Sequence, residues 1–175
     1  MYRDSIRSKD FFRKAPMGIL LILMAALFLT SCAGRAGSSA ADSGTVPAAD
    51  PVVDADLVIP TADITETAGF YPVEIDGTKM EVIAVKAPDG TIRTAFNTCQ
   101  VCYDSGRGYY KQSGGKLVCQ NCGNQFDQNH VEVEAGGCNP WPILESDKTV
   151  TANSITISKD FLKESKDIFA NWKQA

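Results

Sequence analysis

The stretch CQVCYDSGRGYYKQSGGKLVCQNCGNQFD, from Cys99 to Asp127, holds four of the six cysteines of a 175-residue chain as two C-x-x-C pairs. Sixteen residues separate Cys102 from Cys119, a spacing that fits a C-x2-C-x15–20-C-x2-C site for a thiophilic metal. The short pairs have a physical purpose: a two-residue turn aims both sulfurs at one point while the N–H groups that follow donate to them. Gly123, directly after the second pair, allows the positive φ that such a turn often needs. Four soft sulfur ligands suit Zn2+, a single iron or an iron-sulfur cluster, and do not suit Ca2+ or Mg2+. Cys99, Cys102, Cys119 and Cys122 are therefore the first candidate ligands.

Around these pairs the chain reads as short strands broken by turn dipeptides. GFYPVEI leads to Asp76-Gly77, then KMEVIAVKA, then Pro88-Asp89-Gly90, then TIRTAF, a β-meander that delivers the chain to Cys99. Within it Met80, Val82 and Ala84 alternate against Glu81, Ile83 and Val85. GYYKQ, Gly114-Gly115 and KLV form a tight hairpin that brings the second pair to the first, so both pairs are expected at hairpin tips. KTVTA and SITIS make a last strand pair. A helix from about Lys159 to Trp172 then places Phe161, Leu162, Ser165, Ile168, Phe169 and Trp172 on one face as a cover for the sheet. The expected fold class is α+β: mainly antiparallel β with knuckle-type hairpins, in the manner of rubredoxins, zinc ribbons and Rieske domains, and one C-terminal helix.

A fifth cysteine, Cys138, lies in GGCNPWP, where the two glycines would let the backbone come close to a cluster or another strand. It can serve as a ligand, as a redox partner of the other thiols, or as a buried thiol. His130 is the chain's one histidine and reads first as structural. Glu132 and Glu134 in VEVE fall on one strand face, which offers either an iron transfer site or a solvated edge. No Ser-His-acid set and no close carboxylate pair points to hydrolysis. Neither pair is followed by histidine, which excludes c-type haem attachment. A non-catalytic metal-binding or electron-transfer protein is the expectation.

The N-terminus reads as a targeting segment. Arg3, Arg7, Lys9, Arg13 and Lys14 precede an apolar run of 14 residues, Met17 to Thr30, shorter than the roughly 20 that a membrane-spanning helix needs. LTSC, Leu29 to Cys32, resembles a bacterial lipobox, so residues 1–31 are expected to be a lipoprotein-type signal peptide and Cys32 the lipidated residue. Residues 32–56, rich in Ala, Gly, Ser, Asp and Pro without an aromatic side chain, read as a flexible tether reaching about 25 to 30 Å. Residues 57–175 are left as the metal-binding domain. The chain's formal charge is -4, and residues 1–31 carry five of its basic and two of its acidic groups, which leaves 12 basic against 19 acidic. That balance excludes nucleic acid as the main partner. A lipid-anchored, extracytoplasmic place in a bacterial cell envelope follows, where thiols tend toward disulfides. RSKDFFRKAP lacks adjacent arginines, so a twin-arginine route is not supported, and export unfolded would favour a metal captured afterward, Zn2+ or mononuclear iron, or simple disulfides.

The ordered set FNTCQVC, GYYKQ, LVCQNCG, Phe126 and GGCNPWPI, followed by a strand pair and an apolar-faced helix, resembles the FtrD-like family of membrane-associated iron-sulfur proteins over about Phe70 to Trp172. The resemblance implies an iron-sulfur or mononuclear iron centre, with zinc as the alternative, held by Cys99, Cys102, Cys119, Cys122 and Cys138. It also implies a part in iron uptake, as an electron-transfer accessory to a membrane iron transporter or another redox partner. The chain departs from multi-span members of that family in its lipoprotein-like single domain. CQNCGNQFD is similar to the second half of a Rieske motif, with Cys122 where a histidine would stand. Beside this reading stand a structural zinc module for protein contacts and a thiol-disulfide exchanger, which needs an exposed cysteine of lowered pKa. With Met80 alone after the leader and no histidine cluster, a copper carrier is disfavoured.

Overall fold

The computed structural model describes residues 50–174; the expected signal peptide, Cys32 and most of the expected tether lie outside the described residues. The strands are β1 (Val52–Val53), β2 (Leu57–Pro60), β3 (Gly69–Ile75), β4 (Thr78–Lys86), β5 (Ile92–Cys99), β6 (Tyr110–Ser113), β7 (Lys116–Cys119), β8 (Gln125–Asp127), β9 (Pro140–Ile143), β10 (Thr149–Val150) and β11 (Ser154–Ile157), followed by helix α1 (Lys159–Glu164). They form a five-stranded sheet ordered β1-β3-β4-β5-β9 and two three-stranded sheets, β10-β11-β2 and β6-β7-β8. Every pairing is antiparallel except β1 with β3. The mostly antiparallel sheets with one α-helix make an α+β fold. Val52 and Val53, inside the stretch read as tether, pair in parallel with Val73 and Glu74.

The β-meander has the expected form. Asp76-Gly77 is a two-residue loop between the paired Ile75 and Thr78, and β4 pairs with β5 from Val82–Phe96 to Lys86–Ile92. The alternation in β4 separates two cores rather than core from solvent. Met80, Val82 and Ala84 face one way with Val73, Ile75, Phe96 and Ile143, and are covered by Leu57, Ile59, Ile155, Ile157, Leu162 and Phe169 from the second sheet and the C-terminal segment. Ile83, Val85 and Ala95 face the other way and are covered by Tyr110, Leu117, Phe126 and Val131 together with Cys99, Cys102 and Cys119. Each large apolar side chain buried in either layer contributes about 1.5–3 kcal/mol.

The C-terminal helix is shorter than its apolar stripe suggests. Ser158 caps α1 by accepting from the Phe161 N–H at 3.2 Å, and α1 ends at Ser165, whose hydroxyl donates back to the Phe161 carbonyl at 2.9 Å. A single 3-10 turn, Lys166–Phe169, follows. The tertiary contacts account for this break: Thr98 donates to the Ile168 carbonyl at 3.3 Å, and the Trp172 indole N–H donates to the Asn97 carbonyl at 2.8 Å. The apolar face still packs as expected, with Leu162 and Phe169 buried and Phe161, Ile168 and Trp172 against the same core.

VEVE is not a strand. A 3-10 turn, Gln128–His130, runs into further turns, and Glu132 has φ +67°. Its carboxylate accepts from the Thr94 N–H at 2.9 Å and pairs with Lys148, whose side chain is 2% exposed and also donates to Thr94 Oγ1 at 2.9 Å. This buried pair anchors the loop leading to Cys138 onto β5. Removing one member of such a pair leaves a desolvated charge, which costs about 3–5 kcal/mol, whereas replacing both is far milder. Glu132→Gln is expected to lower stability to urea by about 3 kcal/mol, and Glu132→Gln with Lys148→Met to recover most of that. A double variant as unstable as the single one would refute the assignment.

Candidate metal centre

The first cysteine pair lies where the chain leaves the central sheet for the third one. Cys99 is the last residue of β5 and pairs with Pro140 of β9 across a bulge at Asn97 and Thr98. The Cys102 N–H approaches Cys99 Sγ at 3.4 Å, and the Cys102 carbonyl accepts from the Ser105 N–H at 3.0 Å and from Ser105 Oγ at 2.7 Å. This pair sits at a crossover between sheets, not at the hairpin tip expected, because β5 and β6 belong to different sheets. Gly108 packs against the turn: its carbonyl accepts from the Cys99 N–H at 2.6 Å, and a Cβ on it would stand 2.3 Å from the Cys102 carbonyl oxygen.

The second pair does sit in a hairpin. Tyr110 pairs with Cys119 in β6–β7, and the chain returns as β8 with Val118 opposite Gln125. Between them Gly123, at φ +73°, donates its N–H to the Cys119 carbonyl at 2.9 Å, and the Cys119 N–H donates to the Asn124 carbonyl at 2.9 Å. The turn closes only with this left-handed residue. Cys138 arrives on the loop before β9. Its carbonyl accepts from the Tyr110 hydroxyl at 2.8 Å and from Asn124 Nδ2 at 3.0 Å. Gln100 ties the same loop down, donating to the Pro140 carbonyl at 3.0 Å and accepting from the Gly136 N–H at 3.0 Å. Gly136 and Gly137 adopt positive φ in open space, so they turn the chain rather than bring two backbones close.

All five thiols converge. The sulfurs of Cys99, Cys102 and Cys119 lie within 4.8 Å of one another, and so do those of Cys102, Cys122 and Cys138. Sulfurs bound at about 2.3 Å to one tetrahedral ion stand about 3.8 Å apart, so either set reaches metal-binding spacing with small movements. Cys99, Cys102 and Cys119 are buried, Cys138 is half-buried and Cys122 is exposed. The fit to a thiolate-bound metal or iron-sulfur group is good: an all-sulfur donor set, turn N–H groups around it, an apolar inner wall and one open edge. His130 stands outside both sets, half exposed and 3.0 Å from Glu134. Glu132 and Glu134 do not share a face, since the first is bound to Lys148 and the second to His130.

The thiols differ in acidity. Burial pushes Cys119 up to about 12 and Cys102 upward as well. At Cys99 burial acts upward, yet the neighbouring Tyr110 hydroxyl and the Cys102 and Val101 N–H groups together bring it below the ordinary thiol value. Cys138 is raised to about 12, first because its thiol donates to Cys122 and then by burial. Cys122 is lowered, chiefly by the Asn124 N–H and then by the thiols of Cys119, Cys138 and Cys102.

Sequence reasoning alone missed the residues that support these thiols. Asn97 accepts from the Tyr110 N–H at 2.7 Å and donates to the Tyr110 carbonyl at 3.2 Å, which holds that ring against the thiols. Only the placing of Tyr109-Tyr110 between the two pairs hinted at it.

A family model described as membrane iron-sulfur containing protein, FtrD-like, matches residues 64–169. The match covers more than half of the chain and takes in all five clustered cysteines. The chain belongs to the FtrD-like family of membrane iron-sulfur containing proteins. No curated protein and no solved structure matches it. Among the described residues no helix is long and apolar enough to cross a membrane.

Two outcomes follow from the geometry. Gly108→Ala drives a methyl group into the Cys102 turn, so it is expected to lower bound metal at least severalfold while far-ultraviolet circular dichroism keeps the β signal; full metal content would refute the close approach. In the metal-free protein, iodoacetamide is expected to modify Cys122 first as pH rises from about 7 to 9, because only an accessible thiolate reacts: Cys122 joins a lowered pKa to exposure, whereas Cys99, also lowered, is buried. Cys119 and Cys138, held near 12, lag behind, and mass spectrometry of the alkylated peptides reads the order.

Proposed function

We propose that the protein is a lipid-anchored, extracytoplasmic iron-sulfur or iron protein that serves electron transfer in iron uptake. One observation carries the reading: five thiols form two sets joined at Cys102 in a domain that belongs to an iron-sulfur family. The residues that would hold the group are Cys99, Cys102 and Cys119 on the buried side, with Cys122 and Cys138 at the open edge. When bound, an iron-sulfur group supplies reversible one-electron chemistry. The chain's own contribution is to bury three ligands, to direct the Cys102 N–H at Cys99 Sγ, and to exclude water from the inner wall with Tyr110, Leu117 and Phe126. Hydrogen bonds to ligand sulfur and burial are the levers that tune such a potential. The Gly123 turn in the β7–β8 hairpin supports a likeness to the knuckles of rubredoxins and zinc ribbons.

The lipobox-like LTSC before Cys32 supports the membrane anchor, and the surplus of acidic residues after it fits a protein partner rather than an anionic surface. A membrane iron transporter or a redox protein beside it is the partner in this reading. The second reading, a structural zinc module, is favoured by the way the buried thiols complete an apolar core.

Metal and acid-labile sulfide analysis, with a visible spectrum, on full-length protein purified without oxygen separates the two. Iron with visible sulfur-to-iron absorption is expected, and sulfide in addition would identify a cluster. Zinc alone with no visible absorption would overturn the electron-transfer reading.

A further inference from the structure

The site holds one thiol more than a tetrahedral ion, or a four-cysteine cluster, takes. We propose that Cys122 and Cys138 are alternative ligands for one coordination position of a centre whose three constant ligands are Cys99, Cys102 and Cys119. The proposal rests on the metal-binding reading above and deepens it. The constant three are buried and mutually within 4.8 Å. Cys102 is the member shared with the outer set, and the sulfurs of Cys122 and Cys138 lie within 4.8 Å of it and of each other. A position beside Cys102 that one of them reaches is therefore within reach of the other.

The two come from different segments of the chain, which meet at Asn124. Cys122 rides on the β7–β8 turn, fixed by the Gly123 and Asn124 backbone bonds. Cys138 rides on the loop pinned by the Tyr110 hydroxyl, Asn124 and Gln100. Neither loop has to unfold for the other to supply the sulfur. The exchange is balanced by one proton: the entering Cys138 thiol gives up its proton as its sulfur bonds the metal, and the leaving Cys122 sulfur takes one up as its bond breaks. No electron moves, and charge and coordination number are unchanged. The open edge thus offers ligand exchange without a vacant position on the metal.

The test uses the full chain, stripped of its own metal under reducing conditions and reloaded with Co2+ alone, whose sulfur-to-cobalt absorption reports the number of thiolates. Wild type is expected to bind one Co2+ with a four-thiolate spectrum. Cys122→Ser and Cys138→Ser are each expected to keep one Co2+ and nearly that spectrum, whereas the double variant falls to a three-thiolate spectrum and loses affinity at least tenfold. On cobalt-loaded wild type, iodoacetamide is expected to modify one of the five clustered thiols per chain, divided between Cys122 and Cys138 by mass spectrometry; this measurement needs no variant to fold. Loss of the four-thiolate spectrum in one single variant with no change in the other would overturn the proposal, as would two Co2+ per chain or alkylation confined to one of the two cysteines. Native protein lacking iron and sulfide would defeat the function proposed above, while the cobalt result would still decide the exchange.

Discussion

Strand β4 is buried on both faces, and the cysteine site follows from how its second face is covered. One face meets a three-stranded sheet and the C-terminal segment, with fourteen buried residues in that layer. The other face, carrying Ile83 and Val85, is closed only by β6, β7 and β8, strands of three or four residues each. So small a layer supplies few large side chains, and three thiols stand in the interior where a larger domain would use leucine or isoleucine. Small layers of this kind commonly depend on a metal or a disulfide. A metal bound by these thiols would join β5, β7 and the loop before β9 and hold the cover in place, so that binding free energy would become folding free energy.

The two faces are nevertheless one mechanical unit, because the β5 bulge serves both. Asn97 receives Trp172 through its backbone carbonyl and Tyr110 through its side chain, while Thr98 donates to Ile168. Tyr110 in turn holds the Cys138 carbonyl and influences Cys99. A continuous run of hydrogen bonds thus links the C-terminal segment to the thiols. The family match likewise runs on through α1 and the 3-10 turn to Phe169, beyond the last cysteine.

What the sequence made legible was local. Two-residue spacing within each C-x-x-C pair, Gly123, the Gly114-Gly115 hairpin and the Asp76-Gly77 turn each constrain a few neighbouring bonds, and each has its expected place. The apolar stripe from Phe161 to Trp172 named the right face but the wrong length, because the bonds from Thr98 and Trp172 that end the helix come from far along the chain. VEVE read as a strand through its alternation, yet Glu132 is held by Lys148 and Thr94, partners that periodicity does not reveal. The first cysteine pair was misplaced at a hairpin tip because nothing local tells that β5 and β6 enter different sheets. From GGCNP, Cys138 read as a ligand, a redox partner or a buried thiol, and the long-range bonds of Tyr110, Asn124 and Gln100 bring it beside the other thiols, as the first two readings both require.

The site's asymmetry connects stability with chemistry. Its inner wall is apolar, and a metal held by its three buried thiols would lie under low dielectric, where sulfur hydrogen bonds act strongly on the electronic state of a centre. Its outer edge carries the exposed Cys122 and half-buried Cys138 beside Asn121 and Asn124, polar neighbours that hydrogen-bond thiols or loop carbonyls. Beyond that edge Val101 is 61% exposed, and Tyr103 stands edge-on to Trp141 at 6.1 Å. A centre walled in on every side would support the fold but meet no partner, and one open on every side would exchange its ligands with solvent. Three thiols in the core and two at the edge let the same cluster close the second face of the sheet and lie within contact distance of whatever docks there.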